Sequence, residues 1–174
     1  SLSTYAYVTI KLVGDNESSI NMSVYDKEIE VTFIDTSNVS MVNAYTGQKL
    51  IKTFTIKNTG KGIAYYDIKL DSLVNDFANK NDLVYTLSSK NGAYVSETVV
   101  PSIDTVVASN IKIDKGDSHE YELVVTFLKT DEDQSNNMNR TFSSKVKIES
   151  SKGINSGEEI YKEGTLGRTI TDNL

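Results

Sequence analysis

Residues 128–142 read LKTDEDQSNNMNRTF, and within them Asp131, Asp133, Ser135 and Asn137 place oxygen-bearing side chains at every second position. Calcium is held by such oxygens, so the spacing matches the first half of a calcium loop. An EF-hand loop counted from Asp131 requires glycine at its sixth position and a bidentate glutamate at its twelfth. Asn136 and Phe142 stand there instead. Two readings follow: a weakly bound Ca2+ on Asp131, Asp133, Ser135 and Asn137, or the solvated tip of a hairpin. The incomplete ligand set favours the tip.

Other chemistry finds less to work with. His119 is the only histidine and there is no cysteine, so two-histidine zinc helices, thiolate metal sites and cysteine nucleophiles are excluded. His119 opens a strand pattern in SHEYEL among polar neighbours, and reads as a surface residue. No Gly-x-Ser-x-Gly elbow, Walker loop or Gly-x-Gly-x-x-Gly cradle is present. Asp15, Glu17, Asp114, Asp117, Asp131, Glu132 and Asp133 fall in turns rather than facing one another across a cleft. The expectation is a protein that is not an enzyme. Tyr5, Tyr7, Tyr65, Tyr66, Tyr85, Tyr94 and Tyr121 could form a stacking platform for a sugar. Without tryptophan, cross-strand packing is the better account.

The elements that carry these residues follow a period of two, the signature of half-buried strands. Ala6, Val8, Ile10 and Leu12 share one face; so do Ile29, Val31 and Phe33. Leu50, Phe54 and Ile56 share another, with Lys52 at an edge. The sets Ala64/Tyr66/Ile68/Leu70, Leu83/Tyr85/Leu87, Tyr121/Leu123/Val125/Phe127 and Phe142/Val146/Ile148 repeat the pattern, Ser144 lying within the last. Turns at 45–49 and 58–62 supply glycines for positive φ, 114–117 is a further turn before a strong strand, and Asn91-Gly92 predicts a hairpin between 83–89 and 93–98. Leu70, Leu73, Val74 and Phe77 stand at helical spacing, with Asp71 or Ser72 as N-cap, so at most one short helical segment is expected near 71–80. The fold class is all-β: an antiparallel, jelly-roll-like sandwich of seven to nine strands over 1–149, followed by a polar tail or linker at 150–174.

Of the 174 residues, 24 are Asp or Glu and 18 are Lys or Arg, for a net charge of −6. No basic run could track phosphates, so nucleic acid is not an expected partner. No apolar run reaches the length of a membrane span either.

Two stretches carry a family resemblance: VSMVNAYTGQKLIKTFTIKNTGKGIAYYDIKL (39–70) and YELVVTFLKTDEDQSNNMNRTFSSKVKIE (121–149). The first resembles the segment of TasA/camelysin-type secreted bacterial proteins in which a strand, a Pro-Gly-Asp turn, a strand ending in Asn-x-Gly and another strand follow in order. Here Tyr45-Thr46 replaces the turn proline before Gly47. The second resembles that family's last hairpin, and SLSTYAYVTIKLVG resembles its mature start. The resemblance implies a secreted sandwich that builds cell-surface or biofilm fibres, with itself or other matrix proteins as partners. Camelysin is described as a metalloprotease, but the zinc ligands that would require are missing here, so that activity is not carried over. Fibres would need a donated strand: Thr4–Val13, carrying Ala6, Val8, Ile10 and Leu12, is the candidate, with GDNESS (14–19) as hinge. Pairing of that strand within its own domain is the simpler arrangement, since it avoids the entropy of association. The alternative function is an extracellular module that binds carbohydrate or protein through its loops.

Overall fold

The computed structural model describes residues 8–13, 18–24, 27–35 and 38–151, with side chains at 8–13 and 38–151. Eleven strands follow in order. They are β1 (Val8–Val13), β2 (Ser18–Val24), β3 (Lys27–Asp35), β4 (Val39–Ala44), β5 (Lys49–Asn58), β6 (Ala64–Asn75), β7 (Leu83–Ser89), β8 (Val95–Val99), β9 (Thr105–Ile113), β10 (Ser118–Phe127) and β11 (Thr141–Ser150). They form one sheet in the order β4-β1-β11-β6-β9 and a second in the order β2-β3-β5-β10-β7-β8. The all-β sandwich is as expected, with more strands than the period-two runs reveal.

The alternation explains why two sheets pack together. Alternate side chains of β1, β5, β10, β6 up to Leu70, β7 up to Leu87 and β11 up to Ile148 are buried, and these faces form one core. Contacts across it join the sheets: Phe77 meets Phe127 edge-on at 5.7 Å between centroids, and Tyr66 of β6 reaches His119 and Tyr121 of β10. A one-residue slip would turn each buried set to water, so the apolar faces fix the register.

Without β1, the first sheet reads β4-β11-β6-β9. Setting aside the β2–β3 hairpin at the edge of the second sheet, it faces β5-β10-β7-β8, and among these eight strands only the β7–β8 connection stays within one sheet. That connectivity is a jelly roll. β1 is an extra strand inserted between its first and last strands, antiparallel to β4 and parallel to β11. The expectation of a wholly antiparallel sandwich is corrected by this one pair; parallel pairing leaves no mark on the sequence pattern.

The helical segment expected near 71–80 is also corrected. β6 continues to Asn75, paired with β11, and Ser72 makes a bulge with φ 51°. A bulge adds one residue to a strand and shifts its facing. Leu70 and Leu73, three apart, therefore both turn toward the core without a helix. The only helical turn nearby is a 3₁₀ turn at Lys80–Asp82.

Gly47 has the positive φ expected of it, 93°, and Gly116 in the 114–117 turn has one as well, 82°. The glycines at 60 and 62 do not; Asn58 shapes that loop instead. Its Nδ2 donates to Gly62 O at 2.8 Å and Ile113 O at 3.0 Å, and its Oδ1 accepts from Gly60 N at 3.0 Å. β7 and β8 pair as expected, through a loop at 90–94 rather than a two-residue turn. Gly92 is required there because a Cβ would collide with the Tyr121 hydroxyl.

The described part of the sandwich reaches past Glu149 to Ser151. Ser151 is buried, its N–H donating to Tyr65 O at 3.1 Å and its hydroxyl to Asp67. The tail from 152 onward lies outside the described residues, as do Ala6, Tyr5, Tyr7 and the side chains of Ile29, Val31 and Phe33.

Asn58→Ala would orphan three backbone groups, each worth about 1–3 kcal/mol when buried unpaired. Urea unfolding should show a loss of at least about 2 kcal/mol. A change within error would mean that water satisfies the loop equally well.

Candidate functional site

The structure does not gather the four calcium candidates. Asp131 and Asp133 are exposed, and Asp133 Oδ1 accepts from Ser135 N at 2.9 Å. That bond holds the Asp133 carboxyl below the usual carboxylate range. Ser135–Asn137 form a single 3₁₀ turn that carries Asn137 inward. There its Nδ2 donates to Asp82 Oδ2 and its Oδ1 accepts from Asn79 N, both at 2.9 Å. Gln134 is buried beside it, donating to Leu128 O at 2.8 Å and accepting from Thr130 N at 3.1 Å. Among the four candidates, the Asn137 amide oxygen and one Asp133 carboxylate oxygen are thus already taken by backbone N–H donors. Among the described residues no group of three or more His, Asp or Glu is placed to hold a metal.

His119 corrects a second expectation: it is 2% exposed. Tyr121, Leu123, Val125 and Phe127 set the inward phase of β10, and counting back two residues puts His119 on the same face. Lys52, expected at an edge, is buried between Leu50 and Phe54 for the same reason. Strand phase outweighed side-chain polarity in both cases, and could have been read from the sequence.

Tyr66 Oη lies 2.7 Å from His119 Nδ1 and 2.5 Å from Tyr121 Oη, and Ala93 N–H donates to Tyr121 Oη at 2.9 Å. The donors balance if Tyr121 donates to Tyr66 and Tyr66 to a neutral His119. A protonated His119 would reverse the chain and leave the Tyr121 proton without an acceptor here. Burial acts the same way, pushing the His119 pKa below its ordinary value against the pull of Asp117 and Asp114. Burial also drives the Tyr66 and Tyr121 hydroxyls upward, so neither supplies a phenolate. The trio is a polar strut between the sheets.

Among the described residues the remaining tyrosines form no common platform. Tyr85 is buried, Tyr65 is half-buried, and exposed Tyr45 and Tyr94 lie in different loops. A shallow concavity on the outer face of the second sheet is lined by Thr53, Thr55, Ser88, Lys90, Glu120 and Glu122; Phe54 and Tyr121 lie buried beneath it.

The feature that stands apart is the place of β1. Val8, Ile10 and Leu12 are at most 1% exposed, and β1 pairs with β4 on one side and β11 on the other. The strand expected as an assembly element thus fills a central slot of its own sheet. Of the expected hinge, Ser18 and Ser19 open β2, and 14–17 lie outside the described residues. A comparison with models of known protein families gives no match, and a comparison with curated proteins gives none either.

Two outcomes test these assignments. Calcium should shift the thermal midpoint no more than magnesium does, in the native chain and in Asp131→Ala/Asp133→Ala alike, whereas Asn137→Ala should cost about 2 kcal/mol. A calcium-specific rise lost in the double variant would restore the loop as a cation site. For His119, the unfolded chain takes up a proton as pH falls through about 6.5, before the folded chain does. Stability from neutral His119 is therefore complete above that pH and lost as pH falls toward the lower folded value. The gap in unfolding free energy between the native chain and His119→Gln should narrow on acidification from about pH 8 to pH 5. A gap independent of pH would show that His119 does not titrate there.

Proposed function

We propose that this chain is a structural subunit, secreted to the bacterial cell surface or biofilm matrix, that forms fibres by exchanging β1 between copies. The single observation that carries the reading is that β1 is an inserted strand in an otherwise continuous jelly roll. It precedes every other described strand, and its pairing is with strands farther along the chain, β4 and β11, rather than with the next one. The TasA/camelysin-type resemblance points the same way.

Energetics favour exchange over an empty slot. Burying Val8, Ile10 and Leu12 contributes roughly 1.5–3 kcal/mol each, or about 5–9 kcal/mol together. That is a large share of the roughly 5–15 kcal/mol by which a domain is stable. A second copy offers identical side chains and backbone groups to the same slot. Because the donor strand and the accepting slot are different surfaces, the contact is head-to-tail and continues into a filament. On this reading the role is non-catalytic and the partner is the chain itself.

Lys11 and Ser143 are direct neighbours on the outer face. In Lys11→Cys/Ser143→Cys, oxidation should lock β1 in its own slot, abolish filaments in electron micrographs and keep the chain monomeric by light scattering; reduction should restore assembly. Filaments that form equally well from the locked chain would overturn strand exchange.

A further inference from the structure

Two strands beside β1 are arranged as though they could meet. β4 is antiparallel to β1 and β1 is parallel to β11, so β4 and β11 run antiparallel to each other. Their shared neighbours set a common register: Lys11 stands beside both Ser40 and Ser143, Ile10 beside Met41 and Phe142, and Leu12 beside Val39 and Ser144. The faces match as well. Val39 and Met41 pack against the core and Phe142 and Ser144 are buried, whereas Ser40 and Ser143 lie on the outer face. Direct pairing of β4 with β11 would turn no side chain over.

β4 also has a reason to move. Its only neighbour in the sheet, among the described residues, is β1. Withdrawal of β1 would leave both edges of β4 and one edge of β11 unpaired, above a trough formerly filled by Val8, Ile10 and Leu12. Unpaired backbone groups beside a core are costly. A shift of about one strand spacing, ~4.8 Å, would pair β4 with β11 and close the trough. The product is the four-stranded sheet β4-β11-β6-β9 of an uninterrupted jelly roll.

We propose that the slot has two folded states, held open by β1 or shut by direct β4–β11 pairing. This builds on the reading above that β1 leaves its own slot. A chain whose β1 has left then rests shut, and an entering strand must displace β4 from β11 pair by pair. Assembly is thereby regulated at the receiving surface as well as at the donor.

The absence of native cysteine makes the test direct. Ser40→Cys/Ser143→Cys in the full chain reports the width of the slot. With β1 in place the two Cα atoms are two strand spacings apart, ~9.5 Å, beyond the roughly 7 Å that a disulfide can bridge. In the shut state they are about 4.5–5.5 Å apart. β1 is expelled in the same background by Ile10→Asp, which puts a charge into the core, or by Lys11→Pro, which removes a backbone donor from a central strand. Mild oxidation should leave the unaltered β1 chain reduced and bring the cysteine pair of both expelled variants close to complete intramolecular disulfide, read by mass spectrometry on the monomer. A variant that stays folded by circular dichroism but uncrosslinked overturns the proposal. So does equal crosslinking with β1 unaltered, and so does unfolding of both variants, because a shut slot must be a folded state. Crosslinking as expected, in a chain that never forms filaments, would retire the fibre reading and leave the two slot states standing.

Discussion

The backbone hydrogen bonds of β4 and β11 are the constraint on which this architecture turns. Each strand presents an edge toward the other, and β1 satisfies both at once. A central strand that left without replacement would expose two rows of donors and acceptors together with three empty places in the core. β1 is therefore both an ordinary core strand and, like the β2–β3 hairpin at the edge of the second sheet, an addition to the eight strands of the jelly roll. The same chain topology makes its position central in the sheet and peripheral in the connectivity.

Much of the sandwich was legible from alternation, because burying one face of a strand leaves a direct imprint of period two. Leu83/Tyr85/Leu87, Tyr121 to Phe127 and Phe142/Val146/Ile148 all occupy the inward faces that their spacing implies. Where the pattern misled, the backbone had left the regular strand. At Ser72 a left-handed residue changes the facing of β6, and the spacing of Leu70 and Leu73 then imitates a helix. β9 passed unnoticed for a related reason: two register shifts and the left-handed Asn110 break its alternation. Beyond the β7–β8 hairpin, pairing partners were out of reach, since nothing in VTIKLV distinguishes a parallel neighbour from an antiparallel one.

The candidate site was legible in a different sense. Val8, Ile10 and Leu12 were identifiable as one apolar face, but their special status is a property of the sheet order. The calcium spacing, by contrast, was a true pattern with another cause. Asn137 turns inward to join the 3₁₀ turn at Lys80–Asp82, Gln134 secures the chain between them, and Asp133 closes a local turn. Asn58 does the same at the opposite connection. Amide side chains carry both donor and acceptor, so they can stand in for missing backbone partners wherever a loop crosses the core's rim. A polar loop rich in Asn and Gln is what such a role requires, and it can imitate a cation site in one dimension.

Left-handed asparagines have a consequence beyond local geometry. Asn43 lies in β4 and Asn110 in β9, the two outer strands of the first sheet, and each coincides with a break in register. β8, an outer strand of the second sheet, runs only from Val95 to Val99. An amyloid template needs a long, flat, regular edge, and these three edges are bent or brief. A protein that lent out a strand, as proposed for β1, would live close to runaway cross-β stacking. These three edges are therefore poor templates for lateral stacking, whereas β2, the remaining outer strand among those described, pairs with β3 over its whole length without a break in register and is the one side on which accretion is not blocked by backbone shape.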